Sequence, residues 1–266
     1  MEFHGRAALI TGASSGIGAA YAREFAARGA DLVLVARSEG AMHRLADELR
    51  GTHGRQVHVV PADLAEPGAA DRVATRVAAL GVDVDVLVNN AGFGMHGDFA
   101  AADAGRITEQ IQLNCVALVD LTRRFLPAMV ARGRGAVVNV ASTAAFQPLP
   151  HMAVYGATKA FVLSFSEALY AEVKPAGVRV VAICPGATET PFFDVAGEDA
   201  AVGKKRTPQQ VVATTLAALG RGRPSRVDGL ANALLAVATR WAPRRMVIAM
   251  AGRLTAPREQ PVTTTG

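Results

Sequence analysis

A tyrosine and a lysine stand four residues apart in an otherwise apolar stretch, VYGATKAFV, at Tyr155 and Lys159. Residues i and i+4 of an α-helix lie on one face, about one turn apart, so both polar heads can reach a single site. A phenol titrates near pH 10 and is a poor acid or base at neutral pH, but a nearby ammonium stabilises its charged form. The pair could therefore move a proton. The alternative is a packed tyrosine beside a lysine whose ammonium reaches solvent.

A glycine-rich stretch, TGASSGIG, follows the first apolar run and contains Gly12, Gly16 and Gly18. Glycines at a strand-to-helix turn let the backbone approach a phosphate, and the N-terminus of the helix favours its negative charge. The spacing GxxxGxG differs from the commoner GxGxxG, and tight turns also use glycine for other reasons. Its position after the first predicted strand favours a dinucleotide-binding turn.

The end of the second predicted strand, LVLVARSEG, bears on the choice of dinucleotide. An acidic residue there would accept hydrogen bonds from the adenosine ribose, but Ala36 occupies that position and Arg37 follows it. A guanidinium can hold a 2′-phosphate by bidentate, charge-assisted contacts. We therefore expect NADP(H) in preference to NAD(H). If Arg37 is an ordinary solvated arginine, NAD(H) is the alternative.

Six short apolar runs rich in valine and isoleucine are predicted to be strands: Ala7–Thr11, Asp31–Ala36, Gln56–Val60, Val84–Asn89, Ala136–Ala141 and Arg179–Cys184. Nearly continuous hydrophobicity is typical of strands that are covered on both faces. Amphipathic, helix-length segments separate them, which indicates a parallel sheet built by right-handed crossovers. We predict one α/β domain over residues 1–229, a Rossmann-type doubly wound sheet of about seven strands flanked by helices. The stretch RPSRVDG is the candidate seventh strand.

The C-terminal part departs from this alternation. Thr207, followed by Pro208 and Gln210, predicts a capped helix start. We predict that residues 230–266 form a helical extension whose last residues are flexible. The stretch Leu230–Leu254 mixes large apolar residues with arginines. We expect it to fold against the domain and partly cover the mouth of a substrate site, and the alternative is contact with an anionic membrane.

Composition excludes several classes of function. The net charge of +5 comes from residues spread along the chain, without a basic run interleaved with aromatics, so nucleic acid is not an expected partner. Cys115 and Cys184 lie in apolar surroundings, which suits a reducing compartment, and no signal peptide or long apolar run is evident. We expect a cytoplasmic location. No metal site is expected, and His96 and His151 are predicted to be solvated loop residues.

Several motifs occur together and in the same order as in one known family: TGASSGIG, NNAG at Asn89–Gly92, Asn114, Ser142, and the Tyr155–Lys159 pair. On these residues the chain resembles the short-chain dehydrogenase/reductase family over roughly residues 6–190. The resemblance implies an oxidoreductase that passes a hydride between nicotinamide and a ketone, aldehyde or secondary alcohol.

The resemblance also implies a role for each motif residue. Tyr155 would be the general acid/base, and Lys159 would lower its pKa and bind the nicotinamide ribose. Ser142 would hold the carbonyl oxygen, and Asn114 would anchor a water that links Lys159 to solvent. Asp63 would bind the adenine amino group. The expected cofactor contacts are Gly12, Ser14, Ser15, Gly16, Ile17, Gly18, Arg37, Ser38, Asp63, Leu64, Asn90, Ala91, Gly92, Tyr155, Lys159, Pro185, Gly186 and Thr188.

The loops expected around the nicotinamide are mainly apolar: Phe93, Met95, Phe146, Leu149, Met152, Phe192 and Phe193. They predict an apolar substrate such as an acyl chain, a steroid or an aryl ketone. The extension is longer than the short tail of many family members, so we expect a homodimer through the helices that carry Asn114 and Tyr155, or a homotetramer. A non-catalytic dinucleotide-binding sensor or scaffold is the alternative function.

Overall fold

The computed structural model describes residues 2–197, 200 and 203–256. Its strands are β1 (Ala7–Thr11), β2 (Asp31–Ala36), β3 (Val57–Pro61), β4 (Val84–Asn89), β5 (Gly135–Val140), β6 (Val178–Cys184) and β7 (Ser225–Val227). The six runs predicted from valine and isoleucine content are confirmed, each to within one residue at either end. The seventh strand lies in RPSRVDG, as predicted.

All neighbouring strands are parallel, in the order β3-β2-β1-β4-β5-β6-β7. The chain moves outward from β1 to β3, then returns to place β4 on the other side of β1. In doubly wound sheets ligands bind where the strand order reverses, outside the carboxyl ends of the strands. The order therefore directs attention to the ends of β1 and β4.

Helices cover both faces of the sheet: α1 (Gly16–Ala27), α2 (Glu39–His53), α3 (Ala69–Ala79), α4 (Ala104–Ile111), α5 (Ala117–Ala131), α6 (Ala153–Val173), α7 (Phe192–Ala196), α8 (Pro208–Gly220), α9 (Leu230–Trp241) and α10 (Arg244–Leu254). Helices α1, α2 and α8 pack on one face, and α3, α5 and α6 on the other. The predicted capped start of α8 is confirmed, because Thr207 and Gln210 exchange side-chain to backbone hydrogen bonds of 3.1 and 3.3 Å.

The helical segment that carries Asn114 contains a π-helical turn, Gln112–Val116, between α4 and α5. Such a turn inserts one extra residue into the helix and often occurs at functional sites. It contains Asn114, which is 1% exposed. Sequence periodicity does not reveal the turn, because the flanking apolar residues keep their helical spacing on both sides of it.

The C-terminal extension docks through a narrow inner face, where Ala236, Val247 and Ala251 are buried. At its end Thr255 donates to the Pro150 carbonyl at 2.8 Å, and His96 Nε2 donates to the Thr255 carbonyl at 2.7 Å. His96 thus lies in a loop, as predicted, but it is only partly exposed and its ring binds the end of the extension. The predicted flexibility of the last residues concerns residues 257–266, which lie outside the described residues.

No helix within the described ranges is both long enough and apolar enough to span a bilayer.

Candidate active site

The ends of β1 and β4 are joined by side chains from both strands. Thr11 Oγ1 accepts from the backbone N–H groups of Asn90 and Ala91 at 2.9 and 3.0 Å. Asn90 Nδ2 in turn donates to the Thr11 carbonyl at 2.9 Å. These bonds hold the NNAG loop beside the glycine turn, at the point where the strand order reverses.

The glycine turn leaves no room for side chains. Gly12 and Gly16 adopt φ values of +63° and +53°, which favour glycine. A Cβ on Gly12 would lie 2.7 Å from Asn90 Nδ2. Gly18 has a different role from the one predicted, because a Cβ there would lie 2.2 Å from the Gly12 carbonyl oxygen and the residue does not line the cavity. It lets α1 approach the turn closely, which is packing rather than cofactor contact.

A cavity of about 500 Å³ runs along the carboxyl ends of the strands. Gly18 apart, every residue predicted to contact the cofactor lines it: Gly12, Ser14, Ser15, Gly16, Ile17, Arg37, Ser38, Asp63, Leu64, Asn90, Ala91, Gly92, Tyr155, Lys159, Pro185, Gly186 and Thr188. They converge because the loops that follow β1, β2, β3, β4 and β6 all open at this edge of the sheet. The cavity thus has the length and the backbone approach that a dinucleotide requires.

No carboxylate stands at the carboxyl end of β2, at this end of the cavity, where Ala36 is 8% exposed. Arg37 Nη1 lies 3.7 Å from Asp63 Oδ2, and its side chain is 73% exposed. An ion pair this exposed contributes little and does not fix the guanidinium. Ser38 lies at the N-cap of α2 but makes no side-chain cap hydrogen bond. The guanidinium, the hydroxyl and the start of α2 together suit a phosphate group.

At the other end, Tyr155, Lys159 and Ser142 meet at the cavity wall. Tyr155 and Lys159 share one face of α6, as predicted, and Lys159 Nζ lies 5.8 Å from the centre of the phenol ring. The ammonium is buried and donates to the Val140 carbonyl at 2.8 Å. Ser142 interacts with Tyr155 and lies just beyond β5, where its Oγ donates to the Pro185 carbonyl at 3.4 Å and accepts from the Ala144 N–H at 3.1 Å.

In this chain burial dominates the pKa of Tyr155, and the expected lowering by Lys159 stays a prediction. Burial raises the Tyr155 pKa to about 12, and the interaction with Ser142 only partly opposes this effect. Burial also lowers the pKa of Lys159, to about 8. For both groups the loss of hydration is the largest contribution to the pKa. At neutral pH the phenol is therefore protonated and the ammonium charged.

Asn114 does not line the cavity but braces its wall from behind. Its Nδ2 donates to the Phe93 carbonyl at 3.0 Å and to Thr158 Oγ1 at 3.1 Å, while Oδ1 accepts from the Phe93 N–H at 3.1 Å. Thr158 in turn donates to the Tyr155 carbonyl at 2.8 Å. The π-helical turn thus connects the NNAG loop to the helix that carries the tyrosine. The predicted water contact of Asn114 stays a prediction.

The region of the cavity beyond Tyr155 is mainly apolar. Its lining includes Leu149, Met152, Phe192, Phe193, Leu235 and Leu254. Phe93 also lines the cavity, as predicted, but two of the predicted residues do not. Met95 lies at a separate, smaller cavity of about 190 Å³, and Phe146 packs against the hydrophobic cluster that contains Leu118 and Val162. The predicted apolar character is retained, and the extension supplies part of it.

Sequence reasoning missed an ion pair that supports the loop after β6, residues 185–190, which contains the predicted cofactor contacts Pro185, Gly186 and Thr188. Arg206 Nε donates to the buried carboxylate of Asp228 at 2.6 Å. The Arg206 backbone pairs with that loop, accepting from the Glu189 N–H and donating to the Ala187 carbonyl at 2.8 and 2.9 Å. Asn232 Nδ2 bonds the Asp228 carbonyl at 2.8 Å. This pair therefore connects the loop, the last strand and the extension.

Two polar side chains at the substrate end were also missed. Gln147 and Asn232 line the cavity among apolar neighbours, and the Gln147 side chain makes no hydrogen bond with a described residue. Only Gln147 could have been predicted to lie at the site from the sequence, because it closely follows Ser142 in the loop after the fifth predicted strand.

Comparisons with known proteins agree with this geometry. A family model described as short chain dehydrogenase matches residues 6–201. A curated relative, the very-long-chain 3-oxoacyl-CoA reductase of Phaeosphaeria nodorum, is 34% identical over 218 residues. That alignment covers 80% of this chain and 63% of the relative, so the chain spans less than two thirds of the relative's length.

Solved structures match over nearly the whole chain. A short-chain dehydrogenase from Sphingobium yanoikuyae in complex with NADPH is 37% identical, with a TM-score of 0.81 and coverage of 97% of this chain and 99% of that one. A solved structure from work on the stereoselectivity of 7beta-hydroxysteroid dehydrogenase is 30% identical, with a TM-score of 0.86. The match covers 95% of this chain and 100% of that one.

Proposed function

This chain belongs to the short chain dehydrogenase family, and on that premise we propose that it is an NADP(H)-dependent oxidoreductase acting between an apolar ketone or aldehyde and the corresponding alcohol. The observation that carries the proposal is the contact of Ser142 with Tyr155, with Lys159 behind them, at the junction of two regions of one cavity. One region suits a dinucleotide and the other is apolar. A relative named for 3-oxoacyl-CoA reduction and a neighbour named for a hydroxysteroid support an apolar carbonyl substrate.

The proposed chemistry uses the protonation states derived above. When bound, the reduced coenzyme supplies a hydride to the carbonyl carbon. Tyr155 donates its phenolic proton to the carbonyl oxygen, so that hydride and proton together convert C=O to CH–OH. Ser142 donates a hydrogen bond to the same oxygen and orients it. Lys159, held by the Val140 carbonyl, places its charge where the phenolate forms and stabilises it.

The residues at the β2 end fit the 2′-phosphate of NADP(H). Arg37 and Ser38 would hold that phosphate, while Gly12 and Gly16 leave the approach to the diphosphate open. Because Ala36 rather than an acidic residue ends β2, no carboxylate of that strand end repels the phosphate. The Asp63 side chain lies beside Arg37 and is 35% exposed, and it would contact the adenine rather than the phosphate.

Replacing Arg37 by alanine should change coenzyme preference. We expect kcat/KM with NADPH to fall by about 10- to 100-fold, because one charge-assisted contact contributes about 1.5–3 kcal/mol, while kcat/KM with NADH changes little. Initial rates with both coenzymes measure this. Arg76→Ala, an exposed arginine outside the cavity lining, is the matched control. Equal rates with both coenzymes in the wild type would contradict the preference.

A substrate panel under one set of conditions tests the proposed reaction. We expect NADPH consumption with aryl ketones, steroid ketones or 3-oxoacyl thioesters, and much weaker consumption with charged sugars. NADPH binding without consumption across the whole panel, and no oxidation of the matching alcohols with NADP⁺, would show a sensor or scaffold instead.

We also propose a homodimer formed through α4, the π-helical turn and α6. Ile111, Val116 and Phe161 are exposed on this side, and Phe161 stacks on Phe165 with ring centres 6.0 Å apart. Phe161→Glu should yield a monomer by light scattering, because it places a charge in the contact, whereas Phe99→Glu at another exposed phenylalanine should not. A wild-type monomer at micromolar concentration would contradict this proposal.

A further inference from the structure

The extension leaves large apolar side chains in solvent. On α9, Leu230, Leu234, Val237 and Trp241 recur at helical spacing along one stripe, and Leu230 and Trp241 are 77% and 85% exposed. On α10 the exposed set is Met246, Ile248, Met250 and Leu254. We name these eight residues the apolar surface of the extension. Large apolar side chains exposed in this number on one segment indicate an interaction site.

The charge on the same segment has one sign. Residues 230–254 contain four arginines, Arg240, Arg244, Arg245 and Arg253, and no aspartate or glutamate. All four are exposed, and none forms an ion pair with a described residue. The apolar surface is therefore bordered by uncompensated positive charge.

This combination argues against a second copy of the chain as the occupant. A two-fold contact would place the same patch against itself. Arginines would then face arginines, with no acidic side chain in the segment to pair them, and like charges brought together are costly. An occupant with an anionic surface over an apolar interior fits both properties.

The position of the extension connects it to the proposed substrate. Leu235 and Leu254 are exposed and also line the cavity. Thr255 holds the end of α10 to the loop beside the cavity through Pro150 and His96. The apolar surface and the apolar region of the cavity are thus continuous through these two helices.

We propose that α9 and α10 dock on an anionic lipid bilayer, with the apolar surface in the acyl region and the arginines at the headgroups. Trp241, an indole at the end of α9 between Arg240 and Arg244, lies at the depth where tryptophans concentrate in membranes. The docked enzyme collects a lipid-soluble substrate directly from the bilayer. Docking itself goes beyond the proposed reaction and requires no turnover, so its failure and that of the reaction are distinguishable.

The chain offers a built-in probe, because Trp241 is its single tryptophan. The full chain is mixed at low salt with vesicles of phosphatidylcholine and phosphatidylserine. We expect sedimentation with the vesicles, a blue shift of the tryptophan emission, and quenching by lipids brominated in the acyl chain. Vesicles of phosphatidylcholine alone should bind much less protein. At about 1 M salt, where the screening length falls to about 3 Å, binding to the anionic vesicles should be lost.

Variants separate the contribution of the arginines to membrane binding from that of the apolar side chains. Arg244→Glu/Arg245→Glu should weaken binding at least about 25-fold, since each arginine near an anionic surface contributes about a fivefold factor. The control with the same net charge, Arg44→Glu/Arg76→Glu on α2 and α3, should retain most of the binding. Leu234→Ser should weaken it, whereas Phe99→Ser, an equally exposed apolar residue elsewhere, should not.

Three results would overturn the proposal. The first is no sedimentation with anionic vesicles at low salt. The second is sedimentation without quenching of Trp241 by brominated lipid, which would place the contact elsewhere. The third is a blue shift that depends on protein concentration and not on lipid, which would show that the surface joins copies of this chain.

Discussion

Replacing Tyr155 by phenylalanine is expected to lower kcat for ketone reduction about a thousandfold, within the range that a positioned general acid contributes. The ring packs against Phe192 with centres 5.4 Å apart, and phenylalanine keeps that contact. Only the proton donor and its interaction with Ser142 are lost. NADPH binding should therefore change little. Initial rates and fluorescence titration with NADPH measure the two quantities separately.

A matched control lies on the same helix. Tyr170 donates its hydroxyl to the Gly222 carbonyl at 2.9 Å, away from the cavity, so Tyr170→Phe should retain the wild-type rate. A Tyr155→Phe enzyme that reduces ketones as fast as wild type would mean that another group supplies the proton.

Replacing Lys159 by methionine should have two opposite effects. Catalysis should fall by at least about 100-fold, because the charge that stabilises the phenolate is removed. The free energy of unfolding at pH 7 should be higher for Lys159→Met than for the wild type. The pKa of Lys159 is lowered from 10.5 to about 8, and one pKa unit corresponds to about 1.4 kcal/mol, so the buried charge costs on the order of 3 kcal/mol. Methionine leaves the Val140 carbonyl without its hydrogen-bond donor, which reduces the expected gain in the free energy of unfolding by about 1 kcal/mol.

The pH dependence has a definite sign. Below pH 8 the lysine is charged in the folded and unfolded states, and only the folded state loses its hydration, so the full penalty is present. As pH rises from 8 to 10.5 the folded state releases its proton first, and the penalty disappears. The stability advantage of Lys159→Met over wild type should therefore shrink across this range.

Thermal unfolding at several pH values tests this relation. The pKa of Cys184 is also raised, to about 12, but this thiol titrates in both proteins and largely cancels in the comparison. Lys174→Met, at an exposed lysine beyond the end of α6, should not raise stability. If Lys159→Met is less stable than wild type at pH 7, the burial cost assigned to this charge is wrong.

The sequence predicts the sheet well because its signals are local. Each buried strand is a run of valine and isoleucine, and parallel strands bring their carboxyl ends to one edge. Residues as distant as Gly12 and Thr188 therefore line one cavity, as the motifs predict. The cap at Thr207 is equally local and equally well predicted.

The remaining features depend on tertiary packing, which a sequence pattern does not contain. The raised pKa of Tyr155 follows from the desolvation of its side chain, and the pairing of Arg206 with Asp228 joins residues whose spacing follows no period. Gly18 belongs to the same glycine motif as Gly12, but only the close approach of α1 to the turn shows that it serves packing. The π-helical turn at Asn114 is hidden for a similar reason.

The central claim is that the cavity supports hydride transfer to an apolar carbonyl carbon. The most direct measurement uses NADPH carrying two deuterium atoms at C4 of the nicotinamide, a bulky aryl or steroid ketone, and mass spectrometry of the product. We expect one deuterium on the carbinol carbon of each alcohol molecule, one NADP⁺ formed per alcohol, and almost no labelled product from Tyr155→Phe. Tight binding of NADPH with no deuterium in any product, for every ketone and aldehyde tried, would contradict the claim.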